Sequence, residues 1–179
     1  MDTTPLHDLP LSFNEIQRQQ INNCLLRLAD QIGAPLVMLA DVSGRLILYR
    51  GRLPAEKSAG LAALASAGFA AAQEIARFLG LKKGFHHQLL EGKQADLYIM
   101  DVGPELLLIM VYTRRTTLGM ARLFGQQAQT ELLQLAQAAA KERDKLAQES
   151  KGRRVEAGFG SELSRQLDEL FAGDDAGVE

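Results

Sequence analysis

Tryptophan is absent from the chain, cysteine occurs once, and aromatic residues make up 6% of its 179 residues. One cysteine excludes an internal disulfide framework. Cys24 sits on an apolar stripe with no His or second Cys nearby in sequence, which reads as a buried thiol and not as a nucleophile. An excess of one charge sign is missing too, since the formal net charge is -2 and the pI is near 6.0. Nucleic acid is therefore not expected as a partner: there is no basic footprint overall, and few rings on which bases could stack. The opening MDTTPLHDLPLS lacks the basic and apolar regions of a signal peptide, and no uninterrupted apolar run reaches bilayer length. A cytoplasmic chain without membrane insertion is the expectation.

Catalytic patterns are equally scarce. No GxxxxGK[ST] loop is present to cradle phosphates, so the DVSG stretch, Asp41 to Gly44, reads as a hairpin turn and not as a nucleotide switch. His86 and His87 are neighbours on an expected strand and point to opposite faces, which prevents joint metal binding; Asp96 and Asp101, five apart, are separated in the same way. Arg114, Arg115, Thr116 and Thr117 precede an expected helix N-terminus where an anion could sit, a weak signal beside a solvated turn. No catalytic residue, metal or cofactor is expected.

What the chain does have is one ordinary domain's worth of apolar residues, 46% of the total, in a recognisable order. Residues 1–11 carry two prolines and no periodicity, and read as a flexible arm. Ser12 and Glu15 have capping-box spacing and open a helix whose apolar stripes run through Cys24 and Leu28 until Gly33 and Pro35 stop it. Leu36 to Ala40 and Arg45 to Arg50 form a hairpin around DVSG. Next comes SAGLAALASAGFAAAQ, Ser58 to Gln73, without a charge and half alanine, which makes one long helix ending at Gly80. Leu61, Leu64, Gly68, Ala71, Ile75 and Leu79 read as its core stripe. Ala62, Ala65, Phe69, Ala72 and Ala76 make a second apolar stripe that a partner would cover.

Phe85 to Glu91 and Ala95 to Val102 pair around Gly92 and Lys93, and LLLIMVY from Leu106 is apolar enough for the middle of a sheet. Thr116 or Thr117 caps a last long helix whose inward stripe is Leu118, Ala121, Gly125, Ala128, Leu132, Leu135 and Ala139. The order α-β-β-α-β-β-β-α implies an α+β, three-layer α/β/α sandwich around a five-stranded antiparallel sheet. The expected divisions are the arm 1–11, the domain 12–148, a charged linker 149–158, a C-terminal amphipathic helix 159–172 with Phe159, Leu163, Leu167, Leu170 and Phe171 on one face, and a disordered tail 173–179. Isolated, a helix that short is marginal in water, so it is expected to fold on a partner.

Three stretches carry a family resemblance: LAALASAGFAAAQEIA (Leu61 to Ala76), RRTTLGMAR (Arg114 to Arg122) and LDELF (Leu167 to Phe171). Together they resemble the Roadblock (dynein light chain) family, and among its members those bacterial regulators that partner a small Ras-like GTPase of MglA type in cell polarity and motility. The resemblance implies a homodimer in which the alanine helices pair and the strand from Phe85 continues the sheet into the second copy. It places Ala62, Ala65, Phe69, Ala72, Ala76, Phe85, His87 and Leu89 at the dimer interface. It also places Ser66, Gln73 and Arg77, with Leu163, Leu167, Leu170 and Phe171 of the tail, against the GTPase. The implied activity is stimulation of GTP hydrolysis without an active site of its own, with nucleotide exchange promoted through the tail helix, at a cell pole. A non-catalytic Roadblock scaffold or a small-ligand sensor is the alternative.

Overall fold

A computed structural model describes residues 11–171, with side chains described to residue 146 and at residue 148. Its elements are α1 (Glu15–Gln31), β1 (Leu36–Asp41), β2 (Leu46–Gly51), α2 (Ala55–Phe78), β3 (His87–Leu90), β4 (Ala95–Val102), β5 (Leu106–Thr113) and α3 (Leu118–Phe171). The strands form one antiparallel sheet in the order β2-β1-β5-β4-β3. β1 and β5 pair from Leu36↔Val111 to Asp41↔Leu106, so the two most apolar strands meet at the centre, as continuous apolar runs require.

Alternation along these strands divides the core. Leu36, Met38, Ala40, Ile99, Leu107 and Ile109 point to one face, where Ala62, Ala65 and Phe69 of α2 cover them. The buried Val37, Leu39, Tyr98, Met100, Leu108 and Met110 alternate with them. They belong to the opposite face, which α1 and the first turns of α3 cover. There Gly125 brings α3 so close to the sheet that a Cβ would lie 2.7 Å from Met100 Sδ, and Cys24 Sγ lies 3.9 Å from the Ala128 carbonyl.

Local signals fix the ends of the elements. Asn14 caps α1, its side chain accepting from Gln17 N at 2.9 Å while Gln17 Oε1 accepts from Asn14 N at 3.0 Å. The capping box is therefore present two residues beyond the expected Ser12–Glu15 pair. In place of a loose arm ending at residue 11, Leu11 is buried and its carbonyl accepts from Arg45 Nη2 at 3.2 Å. At the end of α2, Leu81 N donates to Ala76 O and Gly80 N to Arg77 O, with Gly80 at φ 69, a Schellman stop. Thr117 is the cap of α3: its Oγ1 accepts from Met120 N and its carbonyl from Ala121 N. Thr116 faces inward and donates to the Ile32 carbonyl. The stripe Ala121, Gly125, Ala128, Leu132 and Ala139 is buried, joined by Ala136, while Leu118 and Leu135 are half-buried.

Leu11–Ala139 is one compact unit, and residues 140–171 belong to a second. Helix α3 is continuous to Phe171, so the linker expected at 149–158 is helical. Its residues ESKGRRVEAG include Glu, Lys, Arg and Ala, and two glycines cost only about 1 kcal/mol each against that background. Phe159, Leu163, Leu167, Leu170 and Phe171 thus lie within α3 and not on a separate helix. The arm 1–10 and the tail from residue 172 lie outside the described residues.

Candidate functional site

Helix α2 has two apolar faces, and they exchange the roles expected of them. Ala62, Ala65, Phe69 and Ala76, assigned from the sequence to a dimer contact, are buried against the sheet of the same chain. Ala72 is half-buried beside them. Small side chains let α2 lie close to a sheet face already filled by Met38, Ile99 and Ile109, with Phe69 filling the remaining gap. Of the stripe read as core, Leu61 is half-buried against the sheet-side cluster, but the rest points outward: Leu64 is 74% exposed, Ile75 56%, Leu79 61%, and Phe78, next to that stripe, 93%. Between Leu64 and Ile75 the outer face narrows to Ala67, Gly68 and Ala71. Lys57 was the overlooked signal in the sequence. It stands two turns before the exposed Leu64 on the outer face, whereas the buried Ser58 stands one turn before Ala62 on the inner one.

Beside α2 lies the sheet edge formed by β3, which among the described residues pairs only with β4, from His87↔Met100 to Leu90↔Leu97. His87 and Leu89 share the sheet face of Tyr98, and the His87 ring stacks on Tyr98 with centroids 5.7 Å apart. Burial, with Arg122 and His86 adding to it, holds the His87 imidazole below its ordinary value against the opposing pull of Asp101. Phe85 precedes the strand. Its carbonyl accepts from Gln73 Nε2 at 2.5 Å, which ties the approach to the edge strand onto α2. His86 Nδ1 lies 2.8 Å from Asp101 Oδ2, whose other oxygen accepts from Gln129 Nε2 at 3.1 Å.

Between α2 and this corner lies a cavity of about 360 Å³, bounded among others by Phe69, Gln73, Arg77, Phe85, His86 and Asp101. Of the three α2 residues expected to face a GTPase, Arg77 is exposed and paired with Glu74, and Gln73 is half-buried in its bond to Phe85. Ser66 is not available. It is buried and donates to the Asp41 carbonyl at 3.1 Å, where it locks α2 to the end of β1.

Cys24 and Asp41 are both held in structural contacts. Burial, with Glu131 alongside, pushes the Cys24 thiol up to about 12, so no nucleophilic thiolate forms near neutral pH. Asp41 accepts from Ser43 N, Ser43 Oγ, Arg45 N and Arg45 Nε at 2.5–3.0 Å, which makes DVSG a tightly bonded turn. Among the described residues no group of three or more His, Cys, Asp or Glu side chains converges as a metal site would require. By length and composition α2 could cross a membrane, contrary to the expectation that no segment could. Its inner face, however, is packed on the sheet. What the arrangement offers is a surface: an apolar helix face alongside an unpaired strand edge.

The sequence profile of the Roadblock/LC7 domain matches residues 21–112, from the middle of α1 to the end of β5. Among solved structures the chain is similar to Myxococcus xanthus MglB, with 31% identity and a TM-score of 0.63 over 66% of this chain and 96% of that one. It is also similar to an MglB solved in a tetrameric arrangement, with 25% identity and a TM-score of 0.68 over 73% of this chain and 98% of that one. The gliding protein MglB of Thermus thermophilus shares the fold, at 24% identity and a TM-score of 0.67 over 73% and 98% of the two chains. No curated protein sequence gives a significant match. With a matching profile over more than half its length and this likeness to MglB, the chain belongs to the Roadblock/LC7 domain family.

Proposed function

We propose that the chain is a homodimeric regulator of a small Ras-like GTPase of MglA type, raising its rate of GTP hydrolysis without supplying a catalytic group. The observation that carries the dimer is the outer face of α2, where Leu64, Ile75, Phe78 and Leu79 stand in water on a well-packed domain. The narrow middle of that face, Ala67, Gly68 and Ala71, suits a close crossing with the same helix of a second copy, and β3 beside it offers unpaired backbone groups for a strand of that copy. Leu64, Ile75 and Phe78 replace Ala62, Ala65, Phe69 and Ala76 as the contact, while Phe85, His87 and Leu89 keep their assigned place at the strand edge.

The likeness to MglB supports the GTPase as partner. A dimer that binds the hydrolysis-competent arrangement of the GTPase more tightly than its other arrangements speeds hydrolysis by that difference alone. Arg77 and the α3 end, with Leu163, Leu167, Leu170 and Phe171, contact the GTPase in this reading, and the α3 end promotes nucleotide exchange. GTP turnover by an MglA-type GTPase, measured with and without the chain, tests it. A severalfold rise that disappears in Phe78→Asp is expected, and an unchanged rate overturns it.

The cavity beside Phe69 and Phe85 favours a small-ligand sensor as the second reading. Calorimetric titration with GTP and magnesium separates the two, since a regulator without a phosphate loop gives no heat. Cytoplasmic placement and concentration at a cell pole belong to the same proposal; a fluorescent fusion spread evenly along the cell argues against the pole.

A further inference from the structure

At the sheet end where β1 begins and β2 and β5 finish, a broad cleft of about 890 Å³ is lined by Arg52, Arg114 and Arg115 together with Asp30, Gln94 and Thr113. Sequence alone put two of these arginines beside a helix start. The fold adds the third from a different hairpin and gives the cleft fixed walls. Helix α1 closes with Ala34 N donating to Ala29 O at 2.9 Å and Gly33 N to Asp30 O at 3.3 Å, Gly33 standing at φ 55. Thr116 ties the β5–α3 turn to the Ile32 carbonyl. Arg52 N donates to Pro35 O and Arg114 Nε to Lys93 O, each at 3.3 Å.

The charges in this cleft are uncompensated. Arg27, Arg45 and Arg77 each hold a carboxylate, whereas among the described residues Arg52, Arg114 and Arg115 hold none. All three are exposed, and Asp30 is the only acid among the lining residues. In a chain whose net charge is -2, three guanidinium groups without a carboxylate partner among the described residues, around one concavity, are a local reversal of sign.

We propose that this cleft docks an extended acidic segment of a partner protein, its carboxylates seated in the planar forks of Arg52, Arg114 and Arg115. The hydroxyl of Thr113 and the amide of Gln94 supply neutral hydrogen bonds between them, and Asp30 repels misregistered carboxylates and so sets the alignment. An anionic membrane fits less well. Among the described residues none of the exposed large apolar side chains borders the cleft to enter a bilayer, and its form is concave. No residue of α2 contributes to it, so docking here is compatible with the pairing proposed above.

The test is fluorescence anisotropy of a labelled ten-residue peptide of alternating Glu and Ser, titrated with the full chain. Saturable binding is expected to weaken roughly tenfold when salt rises from about 50 mM to about 300 mM, and by a similar factor in R52S/R115S. Among the described residues neither side chain makes a hydrogen bond, so the double variant should melt with the parent; if it does not, R52S alone serves. Absent binding, or binding that ignores both substitutions, overturns the proposal. So does sedimentation of the chain with phosphatidylserine vesicles when the peptide fails to bind, because the arginines then serve a lipid surface.

Discussion

Asp41 shows how much one side chain can decide. Burial alone pushes its carboxyl up, but the hydrogen bonds from Ser43 and Arg45 and the Arg45 charge outweigh this and hold it below its ordinary value. A carboxyl depressed in the folded state stabilises the fold at pH values above its unfolded value, near 4, and that contribution fades as pH falls through the lower folded value. Stability of the parent should accordingly be level above about pH 5 and decline in acid. In Asp41→Asn, about 1–3 kcal/mol should be lost at neutral pH and the acid decline should flatten, as urea melts at several pH values will reveal. Cys24 yields a second prediction. With its thiol pushed up to about 12 in the α1–α3 seam, the native chain should resist an aromatic disulfide reagent that reacts promptly in denaturant. Rapid native reaction would mean that the seam opens. Both residues stand out in the sequence, Cys24 for its apolar neighbours and Asp41 for its turn. The network around Asp41 was not legible, because it recruits Arg45 and joins, through Ser66, a helix 25 residues away.

Elements were easier to read than their faces. All five strands and the three helices of the described residues follow from apolar periodicity and turn residues, with ends displaced by a few positions except at the close of α3, which runs on to Phe171. The two stripes of α2, Leu61 apart, exchange the roles that their spacing suggests, because 3,4 periodicity marks a face without saying what covers it. Helix and sheet approach closely when the helix side chains are small, so Ala62, Ala65 and Ala76 lie on the inner face while Leu64 and Leu79 stand on the outer. Gly44 is the other half of that contact. It has φ 93, and a Cβ there would lie 2.9 Å from the Ala63 backbone. Gly44→Ala should therefore cost more than the roughly 1 kcal/mol of an ordinary glycine replacement, lowering the melting temperature by several degrees. An unchanged melting temperature would show that α2 is not seated on the β1–β2 turn. The helical course of 149–158 departs from the expected linker for a different reason: charge and glycine point to a linker, while the intervening residues are good helix formers.

At the scale of the whole molecule, the exposed face of α2 predicts association. Leu64→Arg and Phe78→Asp change side chains already in water, so each should leave the circular dichroism and the melting of one domain intact while converting a sedimenting dimer to monomer. A dimer that survives both substitutions places the contact elsewhere. Of the proposed sites, the basic cleft joins segments distant in the chain, and the outer face of α2 is defined only by the packing of its opposite face on the sheet. That is why the sequence disclosed the fold and the absence of catalytic motifs more readily than the surfaces. One arrangement already described also bears on how the chain comes to be folded. β5 is the last strand to be synthesised and lies between β1 and β4 in the sheet, so no ribosome-bound fragment ending before Leu106 has a centre to its sheet. Until then β1 lacks its second neighbour, and α2 lacks Leu107 and Ile109 beneath it. Productive compaction therefore waits for one late segment, and the interval before it is when the nascent chain most needs a chaperone.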